Sequence, residues 1–218
     1  MAPSIEELVS IPVGDVTLEG TLQLPTNATG VVIFAHGSGS SRNSPRNTFV
    51  AERIRRRGLG TLLFDLLTET EDQTREARFD ISLLTDRLLA VTEWFHGRHD
   101  GIKIGYFGAS TGAAAALRAA ARSQTEVNSV VSRGGRVDLA ADLVESVRAH
   151  TCLIVGGDDT QVLEWNREIY DQLTCEKELF VVDGAGHLFE GKGELETVAD
   201  VAAAWFEETL PFDLASEL

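Results

Sequence analysis

From residue 31 onward, short and fully apolar runs alternate with longer segments that carry helical periodicity. The runs occupy 31–35, 61–64, 102–107, 127–132, 152–155 and 179–182. Helices are predicted at 47–57, 80–97, 111–122, 139–147, 161–173 and 193–209. Strands without a polar side are typical of a parallel sheet that is buried on both faces. The alternation therefore predicts a doubly wound α/β fold, with functional loops at the carboxyl ends of its strands.

The beginning of the chain follows a different pattern. Apolar and polar residues alternate strictly over 16–24, from Val16 to Leu24, which is typical of an antiparallel strand with one solvated face. Two strands of this kind are expected before the six βα units, which gives a mostly parallel sheet of about eight strands. Because 218 residues suffice for one sizeable core and are few for two, a single domain over 1–218 is expected.

One G-x-S-x-G pattern lies between a predicted strand and a predicted helix. It reads Gly108-Ala109-Ser110-Thr111-Gly112 and leads into an alanine-rich segment. A serine on a sharp strand-to-helix turn is exposed for attack, and small neighbours allow the strand and the helix to pass closely. Ser110 is therefore the candidate nucleophile, against the simpler interpretation of a glycine-rich turn.

A base and an acid should follow the nucleophile along the chain, because a serine hydroxyl needs both to attack a carbonyl near neutral pH. His187 stands directly after the 179–182 strand and is the candidate base. Asp158 and Asp159 follow the 152–155 strand, and Asp138 follows the 127–132 strand. All three carboxylates remain candidates for the acid that orients the imidazole.

The loop after the 31–35 strand reads His36-Gly-Ser38-Gly-Ser-Ser. In this position a backbone amide commonly helps to bind a developing oxyanion, and Ser38 is the candidate. Thr111 supplies the second amide, at the start of a helix where partial positive charge favours an oxyanion. A phosphate-binding loop is not predicted, because the third glycine and the Gly-Lys-Ser/Thr element of the known fingerprints are both missing.

Together these motifs resemble the α/β-hydrolase superfamily, over residues 16 to 209. The size and the lack of insertions look most like its small, capless subgroup of dienelactone-hydrolase-like proteins, here with serine where that subgroup often has cysteine. The resemblance favours Asp159 as the acid, because it occupies the aspartate position of a G-x-x-D-x-x-V pattern that begins at Gly156. Only residues 133–138 separate the sixth strand from the next helix, so the resemblance also implies an open, shallow pocket without a cap domain.

The loops expected around this pocket contain several arginines in an otherwise acidic chain. Arg42, Arg46 and Arg133 are the candidate binding residues for a carboxylate on the substrate, and Phe189 is the candidate apolar wall. The alternative is that these arginines are solvated or paired with nearby acidic residues.

The composition restricts the partners. A formal net charge of −15 disfavours binding to nucleic acid and to an anionic membrane surface. Two cysteines without a CxxC spacing predict no disulfide framework and no zinc site, and neither a cofactor nor a metal is expected. We expect no signal peptide, no membrane span and a cytoplasmic location.

The sequence therefore predicts a serine hydrolase that cleaves small soluble esters or lactones through an acyl-enzyme. The same three side chains would serve a thioesterase, a peptidase or an acyltransferase. A ligand-binding protein that kept the fold without turnover is a further alternative of a different class.

Overall fold

The computed structural model describes residues 5–210, which form one eight-stranded sheet with helices on both faces. The strands are β1 (Ile5–Val13), β2 (Val16–Leu24), β3 (Gly30–Ala35), β4 (Gly60–Phe64), β5 (Lys103–Ala109), β6 (Ser129–Arg133), β7 (His150–Gly156) and β8 (Lys177–Val182). The helices are α1 (Pro45–Arg55), α2 (Arg75–Phe79), α3 (Ile81–His96), α4 (Thr111–Arg122), α5 (Thr160–Gln172) and α6 (Glu194–Thr209).

The strand order is β1-β2-β4-β3-β5-β6-β7-β8. The first two strands pair antiparallel, as the alternating pattern predicted, and β2 also runs antiparallel to β4. All pairs from β3 onward are parallel. The predicted α/β-hydrolase architecture is confirmed, and because β5 lies at the middle of the parallel part, its carboxyl end is a natural place for a site.

Alternate residues of each central strand point to opposite faces of the sheet, and both faces are buried. In β3, Val31 and Ile33 belong to the core beneath α3 and α4, whereas Val32 and Phe34 belong to the core beneath α1 and α6. This explains why the strands read as continuous apolar runs.

The predicted helix at 139–147 is wrong. That segment forms two short 3₁₀ turns, Val137–Ala140 and Val144–Ser146. The Leu139 carbonyl accepts a hydrogen bond from Arg118 Nη1 at 3.3 Å, while the Leu143 amide donates to Ala140 at 2.9 Å. Because a side chain from α4 occupies a carbonyl that an α-helix would need, the segment tightens into turns.

Between β4 and α3, the 3₁₀ turn Glu71–Gln73 and the short helix α2 were not predicted from the sequence. A partly buried ion pair of 2.8 Å between Arg87 on α3 and Glu71 holds this segment in place. The connection from β6 to β7 adds no cap, and the carboxyl edge of the sheet stays open above Ser110.

Candidate active site

Ser110 occupies a sharp turn between β5 and α4. Its backbone angles are φ 51° and ψ −118°, outside the regions that an L-residue adopts readily. Two flanking hydrogen bonds hold this conformation: the Ser110 amide donates to the Arg133 carbonyl at 3.2 Å, and the Arg136 amide donates to the Ser110 carbonyl at 3.0 Å. The turn is thus fixed by the end of the neighbouring strand β6.

The two glycines of the motif are required by close approach. A Cβ on Gly108 would overlap the backbone of Ala113, and one on Gly112 would overlap the carbonyl of Ala35. The expectation that small residues let the strand and the helix pass closely is met at both positions.

The imidazole of His187 lies against the carboxylate of Asp159. His187 Nδ1 and Asp159 Oδ2 are 2.6 Å apart, which is a short, charge-assisted hydrogen-bond distance. Asp159 stands at the N-cap of α5, yet its side chain caps no backbone amide of that helix. Because Nδ1 is hydrogen-bonded to Asp159, the other ring nitrogen, Nε2, is available to accept a proton in the cleft that Ser110 and His187 both line.

The other two candidate acids are held elsewhere. Asp138 forms two hydrogen bonds with Arg136, at 2.9 and 2.8 Å. Asp158 uses its amide to bind the Ala185 carbonyl at 2.9 Å, and its side chain makes no hydrogen bond within residues 5–210. Of the three carboxylates, the structure brings only Asp159 to the imidazole among the described residues.

A further contact to His187 was missed by sequence reasoning. Gly134, just after β6, has φ +52°. A Cβ at this position would lie 3.3 Å from the His187 carbonyl oxygen and 3.5 Å from Nδ1. The β6 loop therefore packs directly against the imidazole, and the Gly-Gly pair at 134–135 was the only sequence signal for it.

The two predicted oxyanion amides differ in their environment. The Thr111 amide has no acceptor in the described part of the chain, as expected for the first residue of a helix. The Ser38 amide instead donates to Thr111 Oγ1 at 3.0 Å. Ser38 can therefore bind a substrate oxygen only by sharing or exchanging this bond.

An open cleft of about 600 Å³ contains the candidate nucleophile and base. Its other lining residues come from the β3–α1 loop, the first turn of α1, the segment between β4 and α2, the end of β6 and the loop after β8: Gly37, Ser38, Gly39, Ser40, Ser41, Asn43, Ser44, Pro45, Arg46, Asp72, Arg133 and Leu188. Arg46 and Arg133 are among them, as predicted. Arg42 is not: it forms an ion pair with Asp65 and lines the adjacent hollow of about 450 Å³.

Phe189 does not line the cleft. Its side chain is 2% exposed and belongs to the core beneath α6, with φ 53°. Its amide closes a tight turn onto the Gly186 carbonyl at 3.3 Å. That turn directs the Phe189 side chain into the core. Leu188, which is 40% exposed, lines the cleft instead and is the apolar residue next to His187.

His36 supports the site without joining it. Its Nε2 accepts the Leu66 amide at 3.0 Å, and its Nδ1 lies 3.0 Å from the Gly37 carbonyl. Burial lowers the pKa of His36. The ring is therefore a neutral link between the β3–α1 loop and the end of β4.

Other reactive groups are placed away from catalysis. Cys152 is a buried free thiol, and burial raises its pKa to about 12, so it carries no thiolate near neutral pH.

Across residues 5–210, no three His, Cys, Asp or Glu side chains converge as a metal site. No helix in that range is both long and apolar enough to cross a bilayer.

Comparison with solved structures identifies one relative of high sequence identity and a more distant protein that shares the fold. The dienelactone hydrolase of Anabaena variabilis is 50% identical, with a TM-score of 0.92, and the alignment covers 95% of this chain and 99% of that one. An esterase of Pyrococcus furiosus shares the fold at a TM-score of 0.80 and 19% identity, covering 95% of this chain and 92% of that one.

Two curated Mycobacterium tuberculosis proteins, from strains CDC 1551 and H37Rv, are each 50% identical over 210 residues. Both are named "Putative phosphoribosyl transferase". The match covers 95% of this chain but 47% of each relative, so the chain spans about half the length of these proteins. No protein-family model matches the chain.

Proposed function

Because the chain belongs to the α/β-hydrolase family that includes the dienelactone hydrolase of Anabaena variabilis, we propose that it hydrolyses small carboxylic esters or lactones. The reaction would pass through an acyl-enzyme on Ser110. The observation that carries this proposal is the 2.6 Å contact between Asp159 and His187, at the edge of the cleft that Ser110 lines.

In the proposed reaction, Ser110 Oγ attacks the ester carbonyl carbon while His187 Nε2 accepts the hydroxyl proton. Asp159 holds the Nδ1–H tautomer and stabilises the imidazolium that forms. Collapse of the tetrahedral intermediate expels the alkoxide, which takes the proton from His187. Water then attacks the acyl-enzyme by the same route and releases the acid, and for a lactone the alcohol and acid remain one molecule.

The oxyanion of each intermediate would bind first at the Thr111 amide. This amide is unpartnered among the described residues and lies at the N-terminus of α4, where the helix dipole favours negative charge. The Ser38 amide would add a second hydrogen bond by exchanging Thr111 Oγ1 for the substrate oxygen. An amide hydrogen bond that is formed only in the transition state would raise kcat rather than ground-state affinity.

The decisive experiment is rapid-mixing hydrolysis of 4-nitrophenyl acetate. We expect a burst of nitrophenolate with one equivalent of active sites, and an acetyl adduct on Ser110 by mass spectrometry after acid quench. Ser110→Ala should abolish both. The matched control is Ser123→Ala, at the far end of α4, where the backbone is in an ordinary extended conformation. This variant should retain both the burst and the acetyl adduct. Equal turnover by wild type and Ser110→Ala would refute the proposal.

Thioesterase, peptidase and acyltransferase activities would use the same groups. Comparing kcat/KM for an acetyl ester, its thioester and its amide, with and without an added alcohol acceptor, separates these reactions. A ligand-binding protein without turnover would show no burst with any of them.

Phosphoribosyl transfer is the second candidate, because the curated Mycobacterium relatives carry that name. The serine hydroxyl that lines the cleft and the imidazole held by a carboxylate favour the hydrolase for this half of those proteins, since these groups suit nucleophilic attack on an acyl carbon. Incubation with phosphoribosyl diphosphate and a nucleobase, followed by phosphorus NMR, tests the transferase directly. Release of diphosphate that persists in Ser110→Ala would support it.

A further inference from the structure

Arg133, the last residue of β6, is buried in the cleft without a counter-ion. Its relative exposure is 9%, and its Nε and Nη1 atoms are buried with no hydrogen-bond partner. No ion pair within residues 5–210 involves its guanidinium. A buried charge without a partner is costly, so such an arrangement in a folded protein indicates a group that is supplied from outside.

A second guanidinium stands near the first. Arg46, in the first turn of α1, lines the same cleft, and its one ion pair within residues 5–210 is a long contact of 3.5 Å to the exposed Glu190. Burial, and then the charge of Arg46, lowers the pKa of Arg133 to about 10, which leaves it protonated at neutral pH. The carboxylate of Asp72, which also lines the cleft, is held by two hydrogen bonds from Arg78, at 2.9 and 3.3 Å.

Other groups on the same side of the cleft can donate hydrogen bonds. α1 has eleven residues and begins at the cleft: Ser44 caps the Asn47 amide at 3.4 Å, while the Arg46 amide finds no acceptor in the described chain. Hydroxyls from Ser38, Ser40 and Ser41 line the same surface. A helix N-terminus and hydroxyls beside two guanidinium groups form an environment suited to an anion with several oxygens.

We propose that the cleft binds a phosphate monoester group carried by the ester substrate, between Arg133, Arg46 and the first turn of α1. This inference rests on the proposed hydrolase function and names its substrate class. It also narrows the sequence-based expectation of a substrate carboxylate held by arginines, because Arg42 is already paired with Asp65.

Charge and geometry favour phosphate over carboxylate. A phosphate monoester carries nearly two negative charges at neutral pH and three terminal oxygens, whereas a carboxylate carries one charge and two oxygens. The dianion would neutralise both guanidinium groups and still have an oxygen for the free Arg46 amide. A carboxylate has one charge, which would compensate Arg133 and leave Arg46 with the long contact to the exposed Glu190.

Competition with small anions tests the site without knowledge of the full substrate. At constant ionic strength, methyl phosphate should inhibit 4-nitrophenyl acetate hydrolysis competitively, with a Ki at least about tenfold below that of acetate. Arg133→Gln should raise the methyl phosphate Ki by about tenfold to a hundredfold, the usual effect of losing a charge-assisted contact. Arg46→Gln should raise it less, because this side chain is partly solvated.

The matched control is Arg53→Gln. Arg53 lies on the same helix, but it binds Asp200 at 3.0 Å and is not among the cleft-lining residues. It should leave the Ki unchanged. Acetate that competes as well as methyl phosphate, or an Arg133→Gln Ki equal to that of wild type, would overturn the proposal.

Binding can also be measured without turnover. In the Ser110→Ala background, methyl phosphate should show phosphorus NMR line broadening that is lost when Arg133→Gln is added, with the fold of each variant checked by circular dichroism. Failure of hydrolysis with retained binding would refute the function alone. Hydrolysis without phosphate binding would refute the anion site alone.

Discussion

Replacing Ser110 by glycine should give a more stable protein than replacing it by alanine. Both changes remove the hydroxyl, so the comparison isolates the backbone. At an ordinary position glycine is the less stable of the two by about 0.4–1 kcal/mol, because it gains more freedom in the unfolded chain. At φ 51° and ψ −118° the order should reverse, since alanine keeps the Cβ that makes this conformation unfavourable.

The size follows from two opposing terms. A residue held in a sparsely populated region costs of order 1–3 kcal/mol, and glycine relieves most of that cost. Subtracting the entropic disadvantage of glycine, with the middle of each range, leaves Ser110→Gly about 1.3 kcal/mol more stable than Ser110→Ala. For a chain of this length, about 1 kcal/mol corresponds to 2–4 °C, so the expected difference in Tm is about 3–5 °C.

Thermal unfolding at one scan rate and urea unfolding should both report this order. The control is Ser123, at φ −61° and ψ 136°, which any L-residue adopts. There the alanine variant should be the more stable one. If Ser110→Ala matches or exceeds Ser110→Gly while the Ser123 pair behaves normally, the turn is not strained and the structural argument for an exposed nucleophile fails.

Three further outcomes are expected. Asp159→Asn should lower kcat for 4-nitrophenyl acetate by about 10³–10⁴-fold, whereas Asp158→Asn should leave kcat within about threefold of wild type; the reverse order would reassign the acid. Gly134→Ala should lower the free energy of unfolding by about 1 kcal/mol, measured with urea, and should also lower kcat, because the added Cβ meets the imidazole. The control is Gly101→Ala, at φ +78° with open space around it, which should lower the stability without changing kcat. Burial lowers the pKa of His36, so the unfolded state takes up a proton at higher pH than the folded state does. The free energy of unfolding should therefore be retained above pH 6.5 and fall by up to about 1.4 kcal/mol per pH unit below it. Unfolding of wild type and His36→Gln at about pH 7.5 and 5.5 measures this, and an equal loss of stability in both proteins would contradict it.

Local sequence patterns were sufficient where one interaction dominates. The apolar runs predicted the six strands β3 to β8 because a strand that packs on both faces is mostly apolar. The helix predicted at 111–122 has the observed bounds, since the motif serine and the end of the alanine-rich segment mark its limits. The motif predicted Ser110, the position after the 179–182 strand predicted His187, and the family resemblance favoured Asp159. In the structure Asp159 contacts His187, and His187 and Ser110 line one cleft.

Contacts between distant segments decided the rest. The 139–147 segment has helical spacing, but its carbonyls are taken by Arg118 and Arg148. Phe189 is apolar and adjacent to His187, but a tight turn sends it into the core. Arg42 and Arg133 look alike in sequence. Only the fold places Asp65 beside the first and leaves Nε and Nη1 of the second buried without a hydrogen-bond partner among the described residues. Pairing of this kind depends on strand order, which no local pattern encodes.

Two unfavourable features of the described chain share one support. Ser110 is strained and Arg133 is buried without a counter-ion, at the ends of the adjacent strands β5 and β6. The Ser110 amide binds the Arg133 carbonyl at 3.2 Å, so the backbone that fixes the nucleophile also fixes the position of the cation. Five registered pairs between β5 and β6 hold this corner, which explains how it persists despite both costs. A charged group on the substrate would therefore be anchored to the same rigid element as the attacking oxygen, and binding energy gained at the anion would orient the ester carbonyl for attack.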